Sequence, residues 1–307
     1  MDADVLNIGV RFLLYIELAV LFGVPLFAGW LLRSTDNVAV LESWRPTLRF
    51  IAWAAIVTAA LGLSVMAVQM AGAWNAAWNR KMLLAVIGTP YGQAWLFRIA
   101  ALFGVAVLLL WPLRRAPERA IAISLAGIAL GSLAWGGHAL ALQGPARAVH
   151  LTADVLHLLA AGAWIGAIVA LRGMVASAAK SRDGDDIRVA ARALGGFATD
   201  GTVIVATVIL SGSINGWMIV GFEGAAAAIE TPYGVLLLAK LFLFSVMLWL
   251  AALNRFRLVP KLETALNEGQ RDQALGHLKR SLMLEYCLAL GVLALVAVLG
   301  TLGPLPE

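Results

Sequence analysis

The chain has 307 residues, of which 61% are hydrophobic and only 13% are charged. Soluble domains are about half apolar and about one quarter charged, so this composition excludes an ordinary soluble enzyme and a disordered chain. The single cysteine, Cys287, excludes an internal disulfide and a zinc site built from several cysteines. The net charge of +5 comes from basic residues between apolar runs, which indicates orientation in a lipid bilayer rather than binding to nucleic acid.

The apolar residues are gathered into runs of the length that a bilayer-crossing helix needs, which is roughly 20 residues. In chain order the predicted helices cover residues 8–32, 46–72, 93–113, 119–142, 148–171, 196–221, 233–255 and 281–303. A membrane β-barrel would show shorter segments of alternating polarity. The sequence therefore predicts an all-α membrane protein of eight transmembrane helices, with residues 1–307 forming one polytopic domain.

The distribution of basic residues predicts the orientation of this domain. Of the 23 Lys and Arg residues, 17 lie in the loops after the first, third, fifth and seventh predicted helices. Loops rich in Lys and Arg stay in the cytoplasm, so both termini are expected on the outer face. The longest basic loop, residues 256–280, is expected to form a charged helix on the membrane surface.

A short repeat divides the chain. Thr-Pro-Tyr-Gly occurs at Thr89–Gly92 and again at Thr231–Gly234, and each copy is followed six residues after its glycine by a cation, Arg98 or Lys240. The offset of 142 residues relates the first four helices to the last four, which predicts a parallel 4+4 internal repeat. The alternative is a recurring helix-start signal, because Pro and Gly interrupt the preceding chain. The predicted halves are residues 1–147 and 148–307.

Three of the four histidines lie close together in the predicted bundle. His138 is near the outer end of the fourth helix, and the fifth helix carries His150, Asp154 and His157 on one face. His150 and His157 are about 10 Å apart along the helix axis, so they do not easily share one ion; each could bind with a different partner, or the two could form successive steps of a pathway. Asp154 could orient either imidazole. Ionisable groups in membrane spans are usually functional; the alternative is a histidine hydrogen bonded within the packing.

Further candidate ligands lie at similar depth. Glu17 and His157 are each nine residues into an inward-running helix, so they could meet across the bundle axis. Met66 and Met70 are four residues apart near the outer end of the second helix, and thioether sulfur favours Cu(I), although such a pair also suits core packing or lipid contact. A mixed histidine, methionine and carboxylate set favours copper over magnesium or calcium, while zinc remains open.

The fifth-helix segment carries a family resemblance. The pattern His138…His150-Leu-Thr-Ala-Asp154-Val-Leu-His157, continuing to Trp164-Ile-Gly166, resembles the signature of the CopD/PcoD copper-resistance membrane proteins. The later stretches are similar to that family's seventh helix and exit loop: Thr231–Gly234 with Lys240, and Leu253-Asn254-Arg255-Phe256.

The resemblance implies a multi-pass protein of the bacterial inner membrane that acts in copper homeostasis. It implies that copper, as Cu(I) or Cu(II), is accepted from a periplasmic CopC-type carrier and passed inward; both termini are periplasmic in the orientation that the basic loops predict. By position, the family's histidines correspond to His138, His150 and His157, with Asp154 beside them.

Two other functions remain open. Bis-histidine haem ligation in a b-type membrane cytochrome also uses histidines on neighbouring helices, and a copper sensor or assembly factor would bind copper without transporting it. No nucleotide, zincin or serine-hydrolase motif is present in the sequence, so we predict a transport or binding protein and not an enzyme. The cytoplasmic half of the predicted bundle shows no polar relay, and the sequence indicates no energy source.

Overall fold

The computed structural model describes residues 2–32, 37–136, 144–181, 184–221, 230–268 and 271–303. Throughout these ranges the regular structure is helical, without β-strands. The α-helices are α1 (Ala3–Leu26), α2 (Asn37–Ala71), α3 (Arg80–Ile87), α4 (Pro90–Leu108), α5 (Ala116–Gly131), α6 (Gly144–Ser181), α7 (Gly184–Val220), α8 (Pro232–Leu253), α9 (Val259–Glu268) and α10 (Arg271–Leu299).

Eight of the described helices are long and apolar enough to cross a membrane, namely α1, α2, α4, α5, α6, α7, α8 and α10. This confirms the predicted all-α membrane architecture. The remaining two helices, α3 and α9, are only 8 and 10 residues long. An even number of crossings returns the chain to the side on which it began. Which side that is stays a prediction from the basic loops.

Several helices extend further than their apolar runs. On the side of the basic loops, α2 begins at Asn37, α6 continues to Ser181, α7 begins at Gly184 and α10 begins at Arg271. Each extension adds about ten residues to the predicted span, because hydropathy marks only the part of a helix that lies in hydrocarbon. The predicted surface segment 256–280 is accordingly divided between a π-helical turn, the short helix α9 and the first part of α10.

Both copies of Thr-Pro-Tyr-Gly adopt the same local structure. Thr89 is the N-cap of α4 and Thr231 is the N-cap of α8, both with extended backbone. Their hydroxyls accept hydrogen bonds from the backbone N–H of Gly92 at 2.9 Å and of Gly234 at 3.1 Å. Proline stands in the first turn of each helix, where its missing N–H has no cost. The motif is therefore a helix start in both halves, and the internal repeat stays a prediction.

The centre of the bundle is the crossing of α1 and α6. At Gly23 an added Cβ would lie 2.2 Å from the carbonyl oxygen of Gly162 and 2.7 Å from the Cα of Gly166. Small residues at these three positions let the two backbones approach closely, as is common between membrane helices. Helices α2 and α5 pack against α1, and helices α7 and α10 pack against α6.

One pair of helices is packed differently in the two predicted halves of the chain. In the first half α2 packs against α4, whereas α7 and α8, which the predicted repeat would align with them, have few close backbone contacts with each other in the described residues. Each of them is held by another neighbour, α7 by α6 and α8 by α10. The second half therefore contains a cleft that the first half closes.

Candidate metal site

The centre of the candidate site is a histidine and an aspartate one turn apart on α6. His150 is 1% exposed, and its Nε2 lies 4.0 Å from Oδ2 of Asp154. Among the described residues neither ring nitrogen of His150 has a hydrogen-bond partner. Buried polar atoms almost always have partners, so an imidazole with two unpaired nitrogens beside a carboxylate is well suited to bind an added cation.

Asp154 is held in place by the neighbouring helix. Its Oδ1 accepts a hydrogen bond of 2.7 Å from Nδ2 of Asn215 on α7. Lys240 on α8 lies within electrostatic range of the same carboxylate. Asp154 is thus oriented by α7 and faces a cation from α8, while its second oxygen points towards His150.

His157 also faces α7. Its Nδ1 lies 3.2 Å from the carbonyl oxygen of Val208 and 3.1 Å from Oγ of Ser211. A carbonyl only accepts hydrogen bonds, so the neutral tautomer that makes this bond carries its proton on Nδ1 and keeps on Nε2 the lone pair that a metal ion would need. The glycine at position 212 leaves room for the imidazole, because a Cβ there would lie 3.2 Å from Cε1 of His157.

The polar side chains that α6, α7 and α8 bring together are here called the outer polar group: His150, Asp154, His157, Ser211, Asn215 and Lys240. Within it His150 pairs with Asp154, whereas His157 bonds separately to α7. The spacing on α6 predicted the shared face of the first three. Asn215 and Ser211 were not among the predicted site residues. Their separation of four residues in an apolar span was the available signal.

Glu17 has a partner on another helix. Its Oε1 accepts a hydrogen bond of 3.1 Å from Oγ1 of Thr58 on α2, and its Oε2 is buried without a partner among the described residues. His157 bonds to α7 instead. In the described part of the chain no hydrogen bond joins Glu17 to His157, so the structure places the two groups with different neighbours.

The methionine pair is divided between the core and the surface. Met66 is 9% exposed and packs in the main hydrophobic core, whereas Met70 is 56% exposed. His138 lies outside the described residues. Among the described residues no three histidine, cysteine or acidic side chains form a cluster that could hold a metal ion. The structure therefore brings together His150 and Asp154 as a pair, and the other described histidine and acidic side chains form no larger cluster with them.

Arg98, the residue that the predicted repeat aligns with Lys240, has different neighbours. Arg98 is 1% exposed and donates hydrogen bonds to Oγ of Ser132 at 2.9 Å and to its carbonyl oxygen at 3.1 Å. Its guanidinium also lies 4.4 Å from the ring centroid of Trp95. Lys240 faces Asp154 and His157, whereas Arg98 is hydrogen bonded to a serine and packs against an aromatic ring. In the described residues the histidine site is therefore confined to the second half.

Fold and site together define a multi-pass membrane protein with one asymmetric polar group among apolar helices. Residues 1–148 match the family model described as Copper resistance protein D-like, N-terminal domain, and residues 191–299 match the model described as Copper resistance protein D. The chain therefore belongs to the copper resistance protein D family. It is a multi-pass protein of the inner membrane with a role in copper homeostasis.

Curated relatives agree with this family. The chain is 40% identical to Copper resistance protein D of Pseudomonas syringae pv. tomato over 98% of its own length and 97% of the relative. It is 28% identical to Inner membrane protein YebZ of Escherichia coli K12 over 97% of this chain and 98% of that protein. It is also 28% identical to Copper transport protein CutJ of Bacillus subtilis 168, over 81% of this chain and 45% of that protein. No solved structure matches the chain.

Proposed function

We propose that this protein binds copper at the periplasmic side of the inner membrane and moves it towards the cytoplasm. The observation that carries the proposal is the His150–Asp154 pair, in which a buried imidazole with two unpaired nitrogens lies beside an oriented carboxylate. The pair lies at the end of α6 away from the basic loops, which is the periplasmic end in the predicted orientation. The name of a relative, Copper transport protein CutJ, supports movement of copper in addition to binding.

The chemistry of the donors fits copper as the cargo. Imidazole nitrogen binds copper well, and a carboxylate oxygen beside it adds charge compensation. His138 precedes α6 in the chain and is proposed as a further ligand, with the exposed Met70 and the more deeply placed Met66 as capture ligands for Cu(I). Neutral imidazole is the binding form, so copper occupancy should fall on acidification.

The separation of His150 from His157 supports stepwise movement. Seven residues of α6 place the two imidazoles about 10 Å apart along the axis, and each has its own neighbours. Copper would pass from the His150 pair to Nε2 of His157, and Glu17 would contribute at similar depth from the first half. A periplasmic carrier of the CopC type is the proposed donor.

Copper content of the purified protein in nanodiscs tests the binding step. We expect the His150→Ala variant to lose the bound copper that mass spectrometry detects in the native protein, because the buried nitrogen ligand is removed. The control is His277→Ala, which alters an exposed histidine on α10 and should leave the copper content unchanged. Native copper content in both variants would contradict the proposed site.

The same preparation distinguishes the other functions. His150 and His157 lie on one helix, so they are not opposed as the two axial ligands of a single haem would have to be. The visible spectrum is therefore expected to lack a Soret band, and its presence would favour a cytochrome. A copper sensor or assembly factor would bind copper without accumulating it, which copper uptake into proteoliposomes measures directly.

A further inference from the structure

A cavity of about 240 Å³ lies in the cleft of the second half. Its walls come from α6, α7, α8 with the π-helical turn after it, the first residue of α9, and α10, and they are mostly apolar. The cavity lies at the end of α8 where the basic loop begins, which is the cytoplasmic end in the predicted orientation. It has room for several water molecules. The sequence showed no polar relay in this part of the bundle, and the structure adds a cavity there.

The cavity and the outer polar group share one face of α6. From His157 the face continues through Trp164, Ile168 and Leu171, at steps of seven, four and three residues, and these three side chains line the cavity. Helices α7 and α8 likewise contribute to both places, with Asn215 and Lys240 at the outer end and other residues at the cavity. The same three helices thus join the candidate copper site to the cavity.

An aromatic pair separates the two places. The rings of Trp164 on α6 and Phe244 on α8 meet edge to face, with centroids 5.7 Å apart. Trp164 is buried in a small hydrophobic cluster with Ile168, Met247 and Ala289, and Phe244 packs against that cluster. On the proposed path this apolar layer lies between His157 and the cavity, so a copper ion that moves inward has to cross it.

Beyond the aromatic pair is a buried carboxylate. Glu285 on α10 is 3% exposed and accepts a hydrogen bond from Nδ2 of Asn254. Oδ1 of Asn254 and Oγ of Ser281 are also buried, and neither has a partner among the described residues. Arg255 lines the same cavity, but its guanidinium donates to Oγ1 of Thr202, and no salt bridge to Glu285 occurs in the described part of the chain.

The cations near this carboxylate have other partners in the described structure. Arg255 and Glu285 are the only charged residues among those that line the cavity in the described structure, since α6 and α7 contribute apolar side chains and Thr202. Arg172 on α6 lies with its guanidinium 5.1 Å from the ring centroid of Tyr286, the residue after Glu285. A charged carboxylate buried without an ionic partner is costly. Glu285 therefore favours a state in which a proton or another cation neutralises its charge.

We propose that Glu285 is a proton-exchange site that couples copper movement to a proton, an inference that rests on the proposed function. The polar atoms next to the carboxyl group are the side-chain amide of Asn254 and the hydroxyl of Ser281, which suit a proton better than copper. When a copper ion crosses the Trp164–Phe244 pair, the carboxyl O–H bond breaks and its proton passes to water in the cavity. The resulting carboxylate balances the charge of the arriving ion, and it takes up a proton again after the ion leaves.

Infrared difference spectroscopy of the full-length protein in nanodiscs tests the proton on Glu285. We expect a protonated-carboxyl absorption at neutral pH that is lost in Glu285→Gln and retained in Glu285→Asp. Gln keeps the shape and an acceptor for Asn254, so the fold is preserved. The control Glu230→Gln alters an exposed glutamate before α8. A spectrum of Glu285→Gln identical to that of the native protein would overturn the inference.

Proteoliposomes that contain a pH-sensitive dye test the coupling. We expect copper to cause proton release with the native protein and with Glu230→Gln, and this release to be lost in Glu285→Gln. Copper bound at the outer polar group should be unchanged in all three, because the aromatic pair separates it from Glu285. Copper uptake without proton release by the native protein would overturn this inference alone. Absence of both copper binding and uptake would overturn the proposed function and the coupling with it.

Discussion

Asn215 holds the carboxylate that lies beside His150, so shortening its side chain should weaken copper binding without removing a metal ligand. The bond from Nδ2 of Asn215 to Oδ1 of Asp154 is 2.7 Å long and partly buried. In the Asn215→Ala variant this oxygen loses its donor. The carboxylate can then rotate away from the imidazole, whose Nε2 is 4.0 Å from its other oxygen.

The size of the effect follows from the kind of hydrogen bond. Bonds to charged groups contribute about 1.5–3 kcal/mol in proteins, and side-chain bonds between membrane helices contribute about 0.6 kcal/mol on average and up to about 1.7. A loss of about 1.4 kcal/mol raises Kd about tenfold. Removing a group that supports a metal ligand lowers affinity by roughly 10- to 100-fold. We therefore expect Kd for copper to rise about tenfold.

Competition titration against a copper chelator measures this change in purified protein. The matched control is Asn75→Ala, which shortens an exposed asparagine in the turn Trp74–Trp78 and should leave Kd unchanged. Because Asn215 acts through Asp154, the double variant Asp154→Ala with Asn215→Ala should bind copper no more weakly than Asp154→Ala alone. Native affinity in Asn215→Ala, or additive losses in the double variant, would refute this reasoning.

Two further predictions concern the scaffold. Gly23→Ala places a Cβ 2.2 Å from the carbonyl oxygen of Gly162. It should therefore lower the free energy of unfolding by about 1–3 kcal/mol in detergent unfolding experiments, whereas Gly9→Ala, with nothing within 4 Å, should be nearly neutral. Thr89→Ala and Thr231→Ala each remove an N-cap hydroxyl and should each lower the free energy of unfolding by about 1 kcal/mol. Destabilisation by only one of the two substitutions would contradict the equivalence of the two helix starts.

The number and kind of membrane helices were predictable because bilayer thickness fixes the length of an apolar run. The helix ends were not, because helices such as α6 continue into the aqueous region, where hydropathy no longer distinguishes helix from loop. The adjacency of His150 and Asp154 was also predictable, since residues four apart on a helix lie on one face. Local geometry therefore gave the centre of the candidate site.

The partners of these residues depend on how the helices are rotated and paired, which local spacing does not determine. Asn215 reaches Asp154 only because α7 packs on α6 in one register. Rotation of α2 directs Met66 into the core and leaves Met70 exposed. Glu285 was overlooked because a single carboxylate in an apolar run has no local partner, and its amide partner Asn254 is 31 residues away in the chain.

X-ray absorption at the copper edge tests the central claim most directly, because it reports the atoms that surround the bound metal. In the native protein we predict nitrogen ligation with the scattering pattern of an imidazole ring. This pattern should weaken or disappear in His150→Ala and persist in the exposed-histidine control His277→Ala. A copper spectrum that is the same in the native protein and in His150→Ala would contradict the assignment of the copper site to His150.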